Sequence, residues 1–262
     1  MTAPVFLATA STLEPAGALA DAGPGAALTL TGPEARHAVT VRRVRAGERI
    51  DLSDGRGLRL RCEVTSAGAA GTKDRLGVRV LERLEEPEPA LRLALVQALA
   101  KGGRDEQAVE TATQVGVEVV VPWQAQRCVS VWKGSKAARG RQRWQATAQE
   151  AAKQARRVRV PRVEEAVGTN RLAAWVRATV EAGGAVLVLH EEAEDPVGGV
   201  SLPGGGTVAV VVGPEGGIGG QEVAELEAAG AVTVRLGPHV MRTASAGPVA
   251  LAVLAQRAGL WG

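Results

Sequence analysis

The stretch Val208-Ala-Val-Val-Val-Gly-Pro-Glu-Gly-Gly217 joins a run of mostly β-branched residues directly to a glycine-rich turn. A continuous apolar run of this length predicts a strand buried on both faces, as in a parallel sheet covered by helices. In open sheets of that kind, ligands bind just beyond the carboxyl ends of the strands. The glycines would let a ligand approach the backbone closely, although a plain strand-to-helix turn explains the same residues equally well. The stretch contains neither a GK[ST] phosphate loop nor a GxGxxG dinucleotide fingerprint.

Two other segments of the same type lie on either side of this one in the sequence. Ala185–Leu189 is a second apolar run and ends in His190-Glu191-Glu192. Residues 232–236 form a third run, which leads into the loop ending at Ala246. Because the carboxyl ends of parallel strands share one edge of a sheet, we expect the three loops to gather there. Their Gly, Pro, Arg, Thr and Glu residues together predict a binding site.

Strand and helix patterns alternate from residue 91 onward. Apolar runs at 91–96 and 117–121 predict strands, the second of them ended by Pro122. Helical periodicity predicts helices over 105–115, 139–157, 172–182, 221–229 and 246–257. This alternation predicts an α/β domain with a mostly parallel sheet. The stretch Glu85-Glu86-Pro87-Glu88-Pro89 reads as a linker, so we place a domain boundary there, between residues 1–85 and residues 86–262.

The first 85 residues predict a small all-β domain. Apolar and polar residues alternate at 50–52 and again at 58–64, on either side of the turn Ser53-Asp54-Gly55. This pattern predicts a hairpin with one apolar face and one basic face, the latter carrying Arg59 and Arg61. A further alternating run at 76–80 predicts another strand.

Charge is distributed unevenly along the 262 residues, although the formal net charge is only +3. Residues 127–162 contain eleven Lys or Arg and one acid, whereas the residues from 163 onward contain five basic and eleven acidic residues. So one-sided a stretch predicts an anionic partner for the middle of the chain. A solvated helix face is the alternative explanation.

Several classes of protein are excluded by the sequence. Cys62 and Cys128 have no partner at disulfide or zinc spacing, and the three histidines stand apart, so we expect no disulfide framework and no metal. The apolar runs are only as long as strands, and no basic segment begins the chain. We therefore expect no membrane span, no signal peptide and a cytoplasmic protein.

Motifs spread over nearly the whole chain occur in an order that is typical of one family. They are Arg36-His37, Val41-Arg42-Arg43, Gly47 and Asp54-Gly55, then Lys101-Gly102, Glu110, Gln114-Val115-Gly116-Val117, Pro122 and Arg127, then Arg143-Trp144, Glu150-Ala151, Gln154, Arg157 and Val160-Pro161, and finally the loops Gly213–Gly217 and Leu236–Ala246. In these motifs the chain resembles the bacterial 16S ribosomal RNA (uracil-N3)-methyltransferases of the SPOUT superfamily.

The resemblance implies an RNA-binding, PUA-like β-barrel at 1–85 and a SPOUT methyltransferase domain at 86–262. The latter would have a mostly parallel sheet and a deep C-terminal trefoil knot, a rare exception among folds. The implied reaction is transfer of a methyl group from S-adenosylmethionine to N3 of one uridine in small-subunit ribosomal RNA, as free RNA or in the assembled 30S subunit, by a homodimer. The implied cofactor-binding residues are Leu189, His190, Glu191, Gly213, Pro214, Glu215, Gly217, Leu236, Gly237, Val240, Met241, Arg242, Thr243 and Ala246.

Arg242 and Glu191 are the candidate catalytic residues. N3 of uracil carries a proton at neutral pH, so the reaction needs a base or a cation that stabilises the uracil anion. Arg242 is the candidate cation, and a structural tie to a carboxylate such as Glu215 is its alternative role. Glu191 and Glu215 are the candidate bases, although Glu215 could instead cap the following helix. Candidate RNA-binding residues are Arg42, Arg43, Arg59, Arg61, Arg143, Arg156 and Arg157, with Lys133, Lys136, Arg139, Arg141 and Arg159 beside them.

The chain departs from the family pattern at Ala244, where Glu is common, and at Gln114, where an acid is common. Loss of a carboxylate at 244 leaves open a non-catalytic, RNA-binding ribosome assembly factor. A SPOUT enzyme that methylates transfer RNA or a ribose 2′-hydroxyl is a second alternative. A nucleotide-dependent enzyme is a third, which the missing phosphate motifs disfavour.

Overall fold

The computed structural model describes residues 3–68 and 72–261. The chain forms two compact units, one of Met1–Glu88 with Ala152–Val160 and the other of Pro89–Ala151 with Pro161–Gly262. The first unit thus includes a short segment from the middle of the basic stretch.

One mixed sheet of six strands forms the first unit. The strands are β1 (Val5–Leu7), β2 (Leu13–Glu14), β3 (Ala27–Thr31), β4 (Arg49–Ser53), β5 (Leu58–Ala67) and β6 (Arg75–Glu85), in the spatial order β1-β4-β5-β6-β3-β2. Two short helices, α1 (Ala18–Asp21) and α2 (Gly32–Arg36), and a π-helical turn at His37–Val41 complete the unit. β1 pairs with β4 in parallel, and the remaining four pairs are antiparallel. The predicted hairpin is therefore β4–β5, and the alternating apolar residues of β5 are buried in the core.

Residues 152–160, called the strap below, are anchored inside the first unit. The hydroxyl of Ser53 donates to the carbonyl of Val158 at 2.8 Å, and both residues are buried. Nζ of Lys153 bonds to Oε1 of Glu34 at 2.8 Å, and these side chains are only 8% and 21% exposed. Loss of the strap would leave the buried Ser53 hydroxyl and the mostly buried Glu34 carboxylate without these partners, which is costly. The strap therefore belongs to the core of this unit.

A parallel sheet with helices on both faces forms the second unit. Its strands are β7 (Leu91–Ala98), β8 (Val119–Gln124), β9 (Arg162–Val163), β10 (Val167–Gly168), β11 (Ala185–Leu189), β12 (Gly206–Val212) and β13 (Val232–Val234), in the order β10-β8-β7-β12-β11-β13, with β9 also paired to β8. The helices after residue 88 are α3 (Arg104–Val115), α4 (Ser135–Gln154), α5 (Thr169–Glu181), α6 (Gly220–Ala228) and α7 (Thr243–Arg257). The α/β fold with a mostly parallel sheet is confirmed, and the knot stays a prediction.

Successive residues of the central strands face opposite apolar layers. Leu93 and Leu95 of β7 lie in one cluster with residues of α3, α4 and α7. Ala94 and Val96 lie in another with residues of α5 and α6. Because both faces are covered, every position of these strands favours an apolar residue, which explains the continuous runs in the sequence.

Pro122 does not end its strand, contrary to the prediction, and β8 continues through it to Gln124. The carbonyl of Trp123 accepts the N–H of Leu99 at 2.9 Å, so the backbone of the preceding Pro122 faces away from β7. On that side β9 pairs with β8 as far as Val120, and β10 pairs with it again from Trp123, so no strand residue pairs with Pro122 there. The missing N–H of the proline therefore lies opposite a gap, where no strand bond is lost.

Helix α7 begins at Thr243 rather than at the predicted Ala246. The carbonyl of Arg242 accepts the N–H groups of Ser245 and Ala246, at 2.9 and 3.0 Å, and so begins the helix inside the predicted loop. Pro248 consequently lies in the second turn and not in the first, where proline is best tolerated. The early start places the side chain of Thr243 beneath the loop that follows β12.

Across residues 3–68 and 72–261, no helix has the length and apolarity that crossing a membrane requires. The same ranges contain no cluster of His, Cys, Asp and Glu side chains that could hold a metal ion.

Candidate functional site

A cavity of about 1090 Å³ opens at the carboxyl edge of the parallel sheet. The loops after β12, β11 and β13 line it, and these strands are neighbours in the sheet, as the sequence predicted. Its wall includes all the residues predicted to bind a cofactor, namely Leu189, His190, Glu191, Gly213, Pro214, Glu215, Gly217, Leu236, Gly237, Val240, Met241, Arg242, Thr243 and Ala246. The structure thus brings these residues together around one space, and their role as cofactor ligands stays a prediction.

The glycine-rich loop after β12 leaves no room for side chains at its start. A Cβ on Gly213 would lie 2.6 Å from Cγ1 of Ile218, well inside van der Waals contact. Gly217 has a φ of +72° and closes a turn by donating its N–H to Pro214 at 2.9 Å. Glycine at these two positions follows from a close approach and from left-handed backbone, respectively. The backbone of the loop therefore forms part of the cavity wall.

A buried chain of hydrogen bonds joins the two main predicted motifs. The hydroxyl of Thr243 donates to the carbonyl of Gly213 at 2.9 Å, and Nε2 of Gln97 lies 2.8 Å from that hydroxyl. Nε2 of Gln97 also donates to Ala98 at 3.1 Å. Gln97 is fully buried and Thr243 is 7% exposed, so this chain holds the start of α7 against the glycine-rich loop away from water.

Glu215 pairs with Arg104, and the described residues show no ion pair between Glu215 and Arg242. Nη1 of Arg104 donates to Oε1 of Glu215 at 2.9 Å. Partial burial raises the pKa of Glu215, but hydrogen bonds from its own backbone, from Arg104 and from the backbone of Lys101 outweigh that effect and hold the pKa below its ordinary value. A carboxylate with a lowered pKa is a poor proton acceptor at neutral pH, which disfavours Glu215 as the base.

The two candidate catalytic residues lie in the cavity wall with exposed side chains. Arg242 immediately precedes α7, and Glu191 follows β11. Within the described part of the chain, neither side chain forms an ion pair. Both charges are therefore available to a substrate.

Arg104 and Arg127 lie in the wall but were not among the predicted site residues, although Arg127 belongs to one of the family motifs. Arg104 is the first residue of α3, and Arg127 lies in the loop after β8. Nη1 of Arg127 donates to the carbonyl of Gly216 at 3.1 Å. Both residues come soon after strands of the sheet, and this was the same signal that identified the other loops.

Glu222 is a second missed element, because an acid near the start of a helix resembles an ordinary cap. Its side chain is fully buried. Oε1 accepts the backbone N–H of Gln126 at 3.0 Å and the hydroxyl of Thr169 at 2.6 Å, and Oε2 accepts the N–H of Gly219 at 3.3 Å. Three donors satisfy the buried carboxylate, which thereby fastens the loop that carries Arg127 to the end of the glycine-rich loop.

The arginines predicted to bind RNA in the first unit differ in availability. Arg42 and Arg43 are exposed just after the π-helical turn. Arg59 donates to Asp51 at 3.0 Å and to the carbonyl of Arg156 at 2.8 Å, and only 16% of its side chain is exposed. Its guanidinium therefore stabilises the first unit, whereas the first pair is free to meet a ligand.

The remaining basic residues also divide into bound and exposed groups. Those with partners inside the protein are Arg61 with Glu82 at 2.7 Å, Arg143 with Glu106, Arg141 with the carbonyl of Val163 at 2.9 Å, and Arg159 with the carbonyls of Arg56 and Glu86. Arg157 is half-buried and has a bonding partner. Lys133, Lys136, Arg139 and Arg156 are exposed.

The chemistry of the wall suits a nucleoside ligand. Apolar side chains such as Leu189, Val212 and Leu236 can pack against a base, and the carboxylates of Glu191 and Glu192 can accept bonds from ribose hydroxyls. The glycine-rich loop adds backbone groups with no side chain in front of them. The residues present therefore fit the S-adenosylmethionine that the sequence motifs imply.

Comparison with known proteins agrees with this fold. A family model described as an RNA methyltransferase domain matches residues 86–255, and one described as an RNA methyltransferase PUA domain matches residues 30–69. The chain is 45% identical over 237 residues to a ribosomal RNA small subunit methyltransferase E from Mycobacterium bovis, covering 90% of this chain and 89% of the relative. It is 31% identical over 241 residues to the Bacillus subtilis protein of the same name, covering 88% and 91%.

A solved structure gives the same result for the three-dimensional fold. The ribosomal RNA small subunit methyltransferase E from Neisseria gonorrhoeae, bound to S-adenosyl methionine, superposes with a TM-score of 0.82 at 26% identity, covering 100% of this chain and 99% of that one. Sequence and structure thus agree over nearly the whole length. The chain belongs to the RNA methyltransferase family, in the group of the ribosomal RNA small subunit methyltransferases E.

Proposed function

We propose that this protein transfers a methyl group from S-adenosylmethionine to N3 of one uridine in 16S ribosomal RNA of the small subunit. The observation that carries the proposal is the cavity, whose wall contains every residue expected to hold the cofactor. The 45% identity to the mycobacterial small-subunit enzyme supports ribosomal RNA as the substrate. The cofactor seen in the gonococcal structure supports S-adenosylmethionine.

Backbone groups near Leu189, Gly213, Leu236 and Met241 would hold the adenosine part of the cofactor in the cavity. S-adenosylmethionine, when bound, supplies a methyl group on a positively charged sulfur. The contact between Gly213 and Thr243 fixes two of these loops relative to each other. Such fixation favours the reaction because the reacting groups are already oriented.

Arg242 and Glu191 would act on the uracil ring. N3 lies on the base-pairing edge, so the uridine must be unpaired or flipped out before it can react. The Arg242 guanidinium would stabilise the uracil anion, and the Glu191 carboxylate would accept the N3 proton. Both are exposed in the wall, and Glu215 is already paired with Arg104, which is why Glu191 is the better candidate for the base.

We also propose a homodimer that acts on the small-subunit RNA, with the first unit contributing to RNA binding. Exposed apolar side chains around the beginning of α7 support the dimer, because a subunit interface would cover them: Val240 at 78% and Met241 at 43% just before the helix, and Val249 at 37% within it. The PUA match over residues 30–69 includes the exposed Arg42 and Arg43 and supports the RNA-binding role.

A methylation assay tests the proposal. Purified protein, labelled S-adenosylmethionine and small subunits from cells that lack this activity should yield a single N3-methyluridine, located by mass spectrometry. Arg242→Ala should slow methyl transfer about 10²-fold at saturating cofactor, because a lost stabilising donor acts on the transition state. Arg177→Ala, an exposed change on α5 outside the cavity, is the control. Cofactor binding without transfer to small subunits would favour another RNA, and neither binding nor transfer would favour the assembly factor.

A further inference from the structure

The cavity has two unlike sides. β11 and β13 lie on one side of β12, where the wall contains the carboxylates of Glu191 and Glu192 after β11 and of Glu227 in α6, with Arg235 and Arg242 in the loop after β13. β7 and β8 lie on the other side of β12, and the loops after them contribute Arg104 and Arg127. The acidic side suits the hydroxyls of a nucleoside, and the side of β7 and β8 suits an anion.

Arg104 and Arg127 donate hydrogen bonds to consecutive residues of the glycine-rich loop. Nη1 of Arg104 bonds to Glu215 at 2.9 Å, and Nη1 of Arg127 bonds to the carbonyl of Gly216 at 3.1 Å. A guanidinium has five N–H donors, so each bond leaves most of the fork available. Arg127 is exposed, and 40% of the Arg104 side chain is exposed. Both guanidinium groups are therefore held next to the same loop, and each keeps N–H donors that no described residue uses.

The loop that carries Arg127 is held rigidly from both ends. Gln124 donates to the carbonyl of Ser130 at 3.0 Å and accepts the N–H of Trp132 at 3.0 Å. At the other end, the buried carboxylate of Glu222 accepts the N–H of Gln126 at 3.0 Å. A guanidinium on so well-supported a loop is oriented before its ligand arrives, as binding sites require.

We propose that Arg104 and Arg127 form a phosphodiester-binding subsite that holds the RNA backbone beside the target nucleotide at the mouth of the cavity. The fork of arginine matches two phosphate oxygens at once. Lys133, Lys136 and Arg139, which follow Arg127 in the same loop and in α4, are exposed as well, so this part of the chain offers further positive charge to a polyanion. The carboxylate of Glu215 neutralises the charge of one arginine, so Arg104, Arg127 and Glu215 together keep a net charge of one positive unit. This inference rests on the proposed action on RNA.

Binding of small-subunit RNA at several salt concentrations tests the subsite. Arg104→Ala and Arg127→Ala should each weaken binding roughly tenfold near physiological salt and should each lower the slope of log K against log salt by about 0.7, because each removes one phosphate contact. Arg127→Lys should keep the slope while losing affinity, since the charge stays and the fork is lost. The affinity for S-adenosylmethionine, measured by calorimetry, should fall by less than the affinity for RNA, although both arginines also bond to the glycine-rich loop, and the control Arg177→Ala should change neither quantity.

Two results would overturn the subsite. A loss of cofactor affinity with an unchanged RNA salt slope would assign the arginines to the carboxylate of S-adenosylmethionine. The phosphate contact would be refuted if both alanine variants had the same salt slope as Arg177→Ala and if Arg127→Lys bound RNA with unchanged affinity. Because RNA binding is measured without turnover, wild-type protein that transfers no methyl group would contradict the proposed function and still leave the slopes to decide on the subsite.

Discussion

Replacement of Thr243 by valine removes a hydroxyl from a buried site without changing its shape. In the wild type this hydroxyl donates to Gly213 at 2.9 Å and lies 2.8 Å from Nε2 of Gln97. The lost bond to Gly213 costs about 1 kcal/mol, and a buried amide N–H of Gln97 left without that acceptor costs about 1–2 kcal/mol more. We therefore expect Thr243→Val to lower the free energy of unfolding by about 2–3 kcal/mol and the affinity for S-adenosylmethionine about tenfold, because the glycine-rich loop is freed.

Urea unfolding followed by tryptophan fluorescence measures the effect in the right part of the molecule, since all five tryptophans belong to the second unit. Thr243→Ser keeps the hydroxyl and is the matched control, with an expected loss below about 1 kcal/mol. The double variant Gln97→Met with Thr243→Val removes both polar partners and should recover part of the stability, because no amide is then left unpaired. Equal stability of the valine and serine variants, or strict additivity in the double variant, would refute the reasoning.

Further changes test other parts of the structure. Gly213→Ala should weaken cofactor binding at least tenfold in calorimetry, because the new methyl group would lie 2.6 Å from an isoleucine side chain, whereas Gly204→Ala, outside the cavity and with nothing within 4 Å, should be tolerated. Because the pKa of Glu215 is lowered in the folded protein, its ion pair stabilises the fold above the ordinary carboxyl pKa, and this stabilisation is lost as the pH falls through the lowered pKa. In thermal unfolding from pH 7 to pH 3, the wild type should therefore lose its advantage over Glu215→Gln below about pH 4. A difference that stays constant over this range would contradict the argument. Lys153→Met should cost the first unit about 3 kcal/mol, seen as faster proteolysis of that unit, and adding Glu34→Gln should restore resistance.

The carboxyl edge of the sheet was predictable because each of its three main loops follows an apolar run that can only be a buried strand. Gly213 and the residues after Leu236 were identified in this way, and the resemblance assigned them to a cofactor. Arg104 and Arg127 were not identified as wall residues, because a charged residue after a strand faces solvent as readily as a cavity. Only the order of strands, with β7 and β8 beside β12, separates the two cases.

The end of β8 and the start of α7 were predicted wrongly because both depend on contacts with distant parts of the chain. Proline normally ends a strand because it has no N–H to donate to the adjacent strand, but the strand beside β8 is interrupted opposite Pro122. The start of α7 was misplaced because the residues from Thr243 to Ser245 were read as loop, whereas the contact of Thr243 with Gly213 favours an earlier first turn. Neither circumstance can be read from the residues nearby.

The strap determines when the first unit can be completed during synthesis. Its contact between Ser53 and Val158 spans 105 residues, so the six-stranded sheet emerges from the ribosome long before the segment that saturates the Ser53 hydroxyl. A fragment that stops at the linker, near Glu88, would lack both this bond and the partner of Glu34. The nascent N-terminal part should therefore remain loosely closed until much of the second unit has been translated, which couples the maturation of the two units through the order of their residues alone.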